Sequence, residues 1–311
     1  MNLIHDIDVE ESISKGIEYL VNKQHEDGSV TLADDTTWDV WETVNAILAV
    51  HKADKNKNEF IEKAISFLLN AQRTDYSFYV SSKYKKNDYC LETSPTCVLA
   101  LNIAKKKVNQ NVQFILNKQK KDGSWEIGIP DMKKHRFWPS ITGHVLRTLL
   151  YLDVSSYQIS KGITFLLEKQ IADGSWGSSW IYYDTPYYPI HVILQSLNQY
   201  GMKDSKNYKK SISFIKKNQK IDGSWCMDTT DKPRPSKSLR TSLALNSLLI
   251  SPDESNLRLI EKGIKWLALE QESDGHWDGG FFVNWPGKKE DIYATSMAII
   301  SLKKYVQYKK Q

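Results

Sequence analysis

Gln170-Ile-Ala-Asp-Gly-Ser-Trp176 is one copy of a unit that recurs along almost the whole chain. Well-formed copies run from Gln119 to Trp125, Gln219 to Trp225 and Gln271 to Trp277. Gln24 to Val30 keeps the Asp-Gly-Ser and loses the Trp, and a worn copy starts at Gln72 (QRTDYSF). Successive glutamines lie 48, 47, 51, 49 and 52 residues apart. Such a period defines a repeat architecture. The six units cover approximately 12–54, 60–104, 108–153, 158–201, 207–251 and 258–308, within one expected domain over residues 1–311.

Each unit has the same grammar. An amphipathic segment ends at the glutamine, as in KGITFLLEKQ, with apolar Ile163, Phe165, Leu166 and Leu167 at helical spacing. Asp-Gly-Ser then stops the helix, because Gly adopts the left-handed cap without a Cβ penalty. A variable loop leads to a second helix that is apolar over more of its circumference, such as IHVILQSLNQ, which is how a helix buried on most sides reads. Six such pairs predict an all-α fold, an (α/α)6 toroid with the apolar helices inside. The Gln amide is expected to satisfy backbone groups at a neighbouring helix end, with the indole packed over it.

The 311 residues are 41% hydrophobic and 25% charged, a soluble composition. No apolar run approaches a membrane span, and the N-terminus lacks a secretory signal pattern. Cys90, Cys97 and Cys226 make an odd count without C-x-x-C, so neither a disulfide frame nor a zinc knuckle is expected, and a cytoplasmic location fits. A net charge of +5 suits an anionic small molecule and, without a clustered basic stripe, argues against nucleic acid.

The pattern K-G/A-x-x-F/Y/W-L-x-x-x-Q-x-x-D-G-S-W resembles the repeat of class II terpenoid cyclases of the squalene–hopene cyclase type. More broadly it resembles the α/α-toroid superfamily that includes protein prenyltransferase β subunits. The resemblance covers roughly residues 12 to 308 and implies a hydrophobic isoprenoid-like substrate. It also implies a D-x-D-D-T stretch at one inner-helix start, whose middle Asp protonates an alkene. This chain departs from that pattern. Its nearest strings are Asp39-Val-Trp-Glu-Thr43 and Asp291-Ile-Tyr-Ala-Thr295, and D-x-D-D occurs nowhere. The prenyltransferase zinc set fails as well: Ala294 stands where its D-x-Y-H-T string has His, and the preceding repeat offers Lys237-Ser-Leu-Arg240 without Asp or Cys. No metal site is therefore expected. Mg²⁺ would enter only with a diphosphate substrate, and Asp34, Asp35 and Asp39 match no metal motif well.

A column of Thr43, Ser94, Thr142, Ile190, Thr241 and Thr295 registers the inner helices. Two residues earlier stand Trp41, Glu92, Ser140, Tyr188, Leu239 and Tyr293, so the one acid in this second column is Glu92. A carboxylic acid facing an apolar barrel has its pKa raised by desolvation and can donate a proton. The other reading of Glu92 is an acid favoured at a helix start by the dipole. Glu42 is the expected helper, and His144 and His191 are secondary acid/base candidates. Trp41, Trp138, Tyr188, Tyr293 and Phe281 are expected to line the substrate site, since aromatic faces stabilise carbocations. Aromatics also fill cores without further function. Arg240, Lys237 and Arg136 are the expected anchors for an anionic head group. The leading expectation is acid-initiated cyclisation or isomerisation of an isoprenoid, an isomerase or lyase type of chemistry. The rivals are a lyase or hydrolase of acidic polysaccharides on the same barrel, and a non-catalytic toroid that binds a lipid or a partner protein.

Overall fold

A computed structural model describes residues 8–32, 38–83, 89–129, 139–177, 185–226, 236–280, 289 and 291–311. Twelve helices lie among them. The outer helices are α1 (Val9–Asn22), α3 (Asn58–Ala71), α5 (Asn109–Leu116), α7 (Tyr157–Glu168), α9 (Lys206–Lys217) and α11 (Glu254–Leu269). The inner helices are α2 (Asp39–Ala53), α4 (Thr93–Ile103), α6 (Pro139–Tyr151), α8 (Tyr187–Gln199), α10 (Lys237–Leu248) and α12 (Asp291–Lys309). Each inner helix packs on the next, and α12 packs on α2, so the inner ring closes. Outer α1 bridges α12 and α2. The all-α toroid expected from the repeats is the fold observed. No described helix is long and apolar enough to cross a membrane.

The turn residues carry the ring. In the third unit Asp122 Oδ1 accepts from Ser124 N–H (3.0 Å) and Ser124 O–H (2.7 Å), which closes the turn from within. Gly223 sits at φ +99°, and a Cβ there would lie 2.6 Å from the Lys262 carbonyl oxygen of the next outer helix. Only glycine tolerates both the backbone conformation and this approach. The glutamine amide donates twice: Gln219 Nε2 reaches Gly223 O at 2.9 Å and Leu259 O at 2.8 Å. Gln119, Gln170 and Gln271 repeat the arrangement, the last reaching Ser12 O of α1 at 2.9 Å. Each staple therefore joins one repeat to the next, and the last joins back to the first.

The indoles carry a further bond, to the end of their own repeat's outer helix. Trp125, Trp176, Trp225 and Trp277 donate Nε1–H to Ile115, Leu166, Ile215 and Leu267 at 2.7–2.8 Å. These are carbonyls in the last turn of the same repeat's outer helix, where the regular helical bonding runs out; Ile115 O and Ile215 O also accept the N–H of Lys118 and Asn218. The Thr/Ser column also acquires a role. Thr43, Ser94, Thr142, Thr241 and Thr295 accept, through their hydroxyl oxygens, the backbone N–H of the residue at the Trp position, at 2.8–3.1 Å. This bond fixes every one of these inner helices at the same height, and the residues two places earlier follow at a common level.

Candidate active site

That level is occupied by a buried cluster. Trp41 of α2 meets Tyr293 of α12 with ring centroids 5.4 Å apart, and Tyr293 meets Tyr188 of α8 at 6.4 Å. His144 of α6 packs edge-on to Trp41 at 5.9 Å and against Tyr188 at 5.6 Å. Glu92 immediately precedes α4, yet its side chain makes no capping bond to the helix. It is 6% exposed and accepts the Tyr188 O–H at Oε1. The structure thus brings Glu92, His144, Trp41, Tyr188 and Tyr293 together.

The proton order of this cluster follows from donors that have no choice. Arg147 Nη2 lies 3.3 Å from His144 Nδ1. A guanidinium can only donate, so Nδ1 accepts and the ring proton sits on Nε2. That proton points at the Tyr188 oxygen, 2.9 Å away. The Tyr188 hydroxyl is then committed to Glu92. The chain runs Arg147 to His144 to Tyr188 to Glu92, and it ends on Oε1. Burial, reinforced by the charge of Arg147, holds His144 well below the usual histidine range, so it stays neutral. Burial pushes Glu92 up to about 7, against the opposing effect of the Tyr188 bond. Oε1 is taken as an acceptor, so the proton of the neutral acid resides on Oε2.

Glu42 is buried in the first turn of α2, one residue after Trp41 and so about 100° from it around the helix. Asp39 is occupied as a latch: it accepts from Val40 N–H, Ser82 N–H and Ser82 O–H. Among the described residues no group of three or more His, Cys, Asp or Glu is placed to hold a metal. Arg240 is buried, with Nη1 3.3 Å from Cys226 Sγ. Its charge also reaches Tyr187, whose ring leans on Phe214 of outer helix α9. Lys237 is exposed at the start of α10. Trp138, Phe281, Arg136, Asp34 and Asp35 lie outside the described residues.

His191 belongs to a second region. A cavity of about 590 Å³ opens among the later turns of the inner helices. Its wall includes Asn45, Leu48 and Lys52 of α2, Arg147 of α6, His191 and Gln195 of α8, and Lys304 of α12. Early-turn residues of these helices meet at the Glu92 cluster and later-turn residues meet here, so the inner helices run parallel. Gln195 Nε2 lies 2.8 Å from His191 Nε2. Arg147 joins the two regions, since it lines the cavity and touches His144. Function was expected only at the loop mouth, so Arg147, Lys52 and Lys304 were not among the candidates. Their signal is a charged residue placed inside an otherwise apolar inner-helix stretch, as in ITGHVLRTLL.

Residues 136–305 match the family described as squalene-hopene cyclase C-terminal domain. Residues 3–83 match the prenyltransferase alpha-alpha toroid domain. The chain is 27% identical over 141 residues to squalene–hopene cyclase of Zymomonas mobilis, covering 42% of the chain and 21% of that relative. It is 30% identical over 140 residues to protostadienol synthase A of Arthroderma gypseum, covering 42% of the chain and 18% of that relative. The matched region thus spans about a fifth of the length of these relatives. Among solved structures, a type II terpene cyclase from Scytonema in complex with geranylgeranyl dihydroxybenzoate superimposes with a TM-score of 0.77 at 14% identity, covering 96% of this chain and 97% of that one. A possible member of the GH105 family from Salmonella enterica gives 0.72 at 14% identity, covering 98% and 96%. At these identities the likeness is one of fold.

Proposed function

The chain belongs to the squalene-hopene cyclase C-terminal domain family, and we propose that it catalyses acid-initiated cyclisation or isomerisation of an isoprenoid, with Glu92 as the proton donor. One observation carries this reading: Glu92 is a buried carboxyl, raised to about 7, whose Oε1 is tied to Tyr188 and whose Oε2 is left to bear the proton. In the first step an alkene π pair takes the Oε2 proton. The O–H bond breaks, a C–H bond forms, and a tertiary cation and a carboxylate result. The chain of donors from Arg147 through Tyr188 stabilises that carboxylate as it forms, which is where preorganised hydrogen bonds act most strongly. The faces of Trp41 and Tyr293 are the available π-surfaces for the cation. Loss of a proton from the final cation restores the acid, so the reaction needs no co-reactant. D-x-D-D occurs nowhere in the sequence, and Glu92, just before α4, takes the role of that acid.

A specific observation favours a second reading. Trp41, His144, Tyr188 and Tyr293 crowd the level of Glu92, and a cavity of about 590 Å³ lies among the later turns of the inner helices. That arrangement suits a non-catalytic toroid that binds a lipid. Mass spectrometry after incubation with prenyl diphosphates and neutral polyprenes separates the two. A cyclised or isomerised product that Glu92→Gln lowers at least 100-fold, in the range for a general acid, is the expected result. Turnover unchanged in Glu92→Gln removes the assigned acid. No product from any isoprenoid favours the binding toroid.

A further inference from the structure

The second region collects positive charge without the negative charge that usually accompanies it. Lys52, Lys55, Arg147 and Lys304 all line the cavity, together with His51 and His191. None of the ion pairs between described residues involves Lys52, Lys55, Arg147 or Lys304. Lys304 Nζ donates to the Asn246 carbonyl at 3.2 Å, a neutral acceptor. Arg147 Nη2 is shared between Thr96 Oγ1 and His144 Nδ1, also neutral, and its Nε–H is buried with no partner among the described residues. An unpartnered buried donor of a charged group is costly.

The charges feel one another. Lys304 is lowered to about 7, first by burial and then by Lys52 and Arg147. Lys52 is lowered by burial and by Lys303 and Lys55, and His51 by burial and by Lys55 and Lys52. Lys303, for its part, is turned toward Glu10 at 3.8 Å. Burial together with Lys304 and Arg147 keeps His191 neutral. Proteins pair buried charges or place them where a ligand completes them. Part of the wall is apolar, with Leu48, Leu99, Ile103, Met297 and Ile300, and Asn45, Gln195, Gln199 and Gln307 supply neutral polar groups beside it. Its volume falls in the range of small-molecule sites.

We propose that this cavity binds an amphipathic oxyanion: Lys52, Arg147 and Lys304 hold a phosphate, diphosphate or carboxylate head, and the apolar part of the wall holds its hydrocarbon arm. Arg147 supplies a planar fork suited to two oxygens, and the two lysines supply point charges. The site is independent of the proton-donor reading. It stands if Glu92→Gln leaves turnover unchanged, and its failure leaves the role of Glu92 untouched.

Isothermal titration of the full chain with farnesyl diphosphate, farnesoic acid, pyrophosphate and farnesol tests it. Farnesyl diphosphate or farnesoic acid is expected to bind at least tenfold more tightly than farnesol, and farnesyl diphosphate at least tenfold more tightly than pyrophosphate. Lys304→Gln and Lys52→Gln are each expected to weaken the anionic amphiphile at least tenfold. Lys216→Gln, on outer helix α9 beside Ser255, is expected to leave it unchanged. Because each cavity substitution removes a repelling charge, both variants should melt at or above the wild-type temperature in the absence of ligand, so lost binding cannot be blamed on unfolding. Equal binding of farnesol overturns the anion site. Equal binding of pyrophosphate overturns the apolar arm. Undiminished affinity in both lysine variants overturns the placement.

Discussion

The two ends of the inner ring are built from the same helices and carry opposite chemistry. Near the inner-helix N-termini Glu92 is buried in the cluster of Trp41, His144, Tyr188 and Tyr293 and tied to a phenol, and Asp39, Glu42 and Asp291 are buried in the first turns of α2 and α12. Toward the C-termini an open cavity collects cations. The helix dipole makes this polarity natural, because acids are favoured at N-termini and cations at C-termini. In the proposed function the acid end holds and releases a proton, and the site proposed at the basic end receives a charge it lacks. Both are tuned to titrate near neutrality from opposite directions, Glu92 from below and Lys304 from above.

This symmetry can be broken one end at a time. The largest effect is expected at the acid end. The folded pKa of Glu92 is raised from 4.5 to about 7, so the folded state holds its proton more tightly than the unfolded state does. The resulting penalty is absent below 4.5, grows as pH rises, and is complete above 7. A tenfold change in proton affinity is worth about 1.4 kcal/mol, so Glu92→Gln should gain roughly 3 kcal/mol over wild type at pH 9 and nothing at pH 4. Chemical denaturation at the two pH values checks this, and equal differences at both would contradict the burial account.

At the basic end the sign is reversed. Lys304 falls from 10.5 to about 7, so its penalty is complete below 7 and is lost as pH rises through 10.5. Lys304→Met should gain roughly 2 kcal/mol at pH 6 and nothing at pH 11. This gain is smaller than the fall in proton affinity alone would give, because the half-buried ammonium shares the cavity with solvent. A gain that instead grows with pH would place Lys304 outside a cationic cluster.

The smallest effect links the ends. Tyr188→Phe removes the bond that lowers Glu92 and leaves the His144 Nε2–H without its acceptor. A loss of about 1 kcal/mol is expected. The pH at which Glu92 titrates, followed by NMR or by any pH–rate profile, should move upward. A downward move would mean that Tyr188 does not donate to Glu92.

The fold was legible because its determinants are local and repeated. Gln, Gly and Trp each answer a backbone requirement within the turn or one helix away, so their spacing alone exposes the ring. Even the worn second copy obeys it: Tyr76 takes the turn glycine's place at φ +65°, and Asn111 of α5 donates to the Tyr76 carbonyl at 2.6 Å in place of the missing staple. The glycine in K-G-x-x-F is explained only by structure. At Gly162 a Cβ would lie 2.8 Å from the Trp125 ring, so the next helix must be bare where the indole lands.

The site was legible in part. The residues two before the Thr/Ser column do share one level, which is why Glu92, Trp41, Tyr188 and Tyr293 stand together in sequence register and in space. Glu42 stands next to Trp41 in sequence but about 100° away from it around α2, so adjacency alone does not bring it into the cluster. Arg240 looks like an anion anchor in sequence and is engaged with Cys226 in space. The basic cavity leaves no signature in the loops, since its residues come from the later turns of separate helices and form a stripe only once the ring is closed.

The staple from Gln271 to Ser12 spans 259 positions of the chain, and the Trp41 ring waits for Tyr293 of the last inner helix. During synthesis the first helices emerge with their α12-facing surface bare and remain so while the later repeats are translated, an interval on the order of tens of seconds at ordinary elongation rates. The acid end is therefore the last part of the molecule to become dry. Any nascent-chain factor that shields apolar helices would act on α1 and α2, and premature termination before α12 would leave Trp41 uncovered rather than merely shorten the protein.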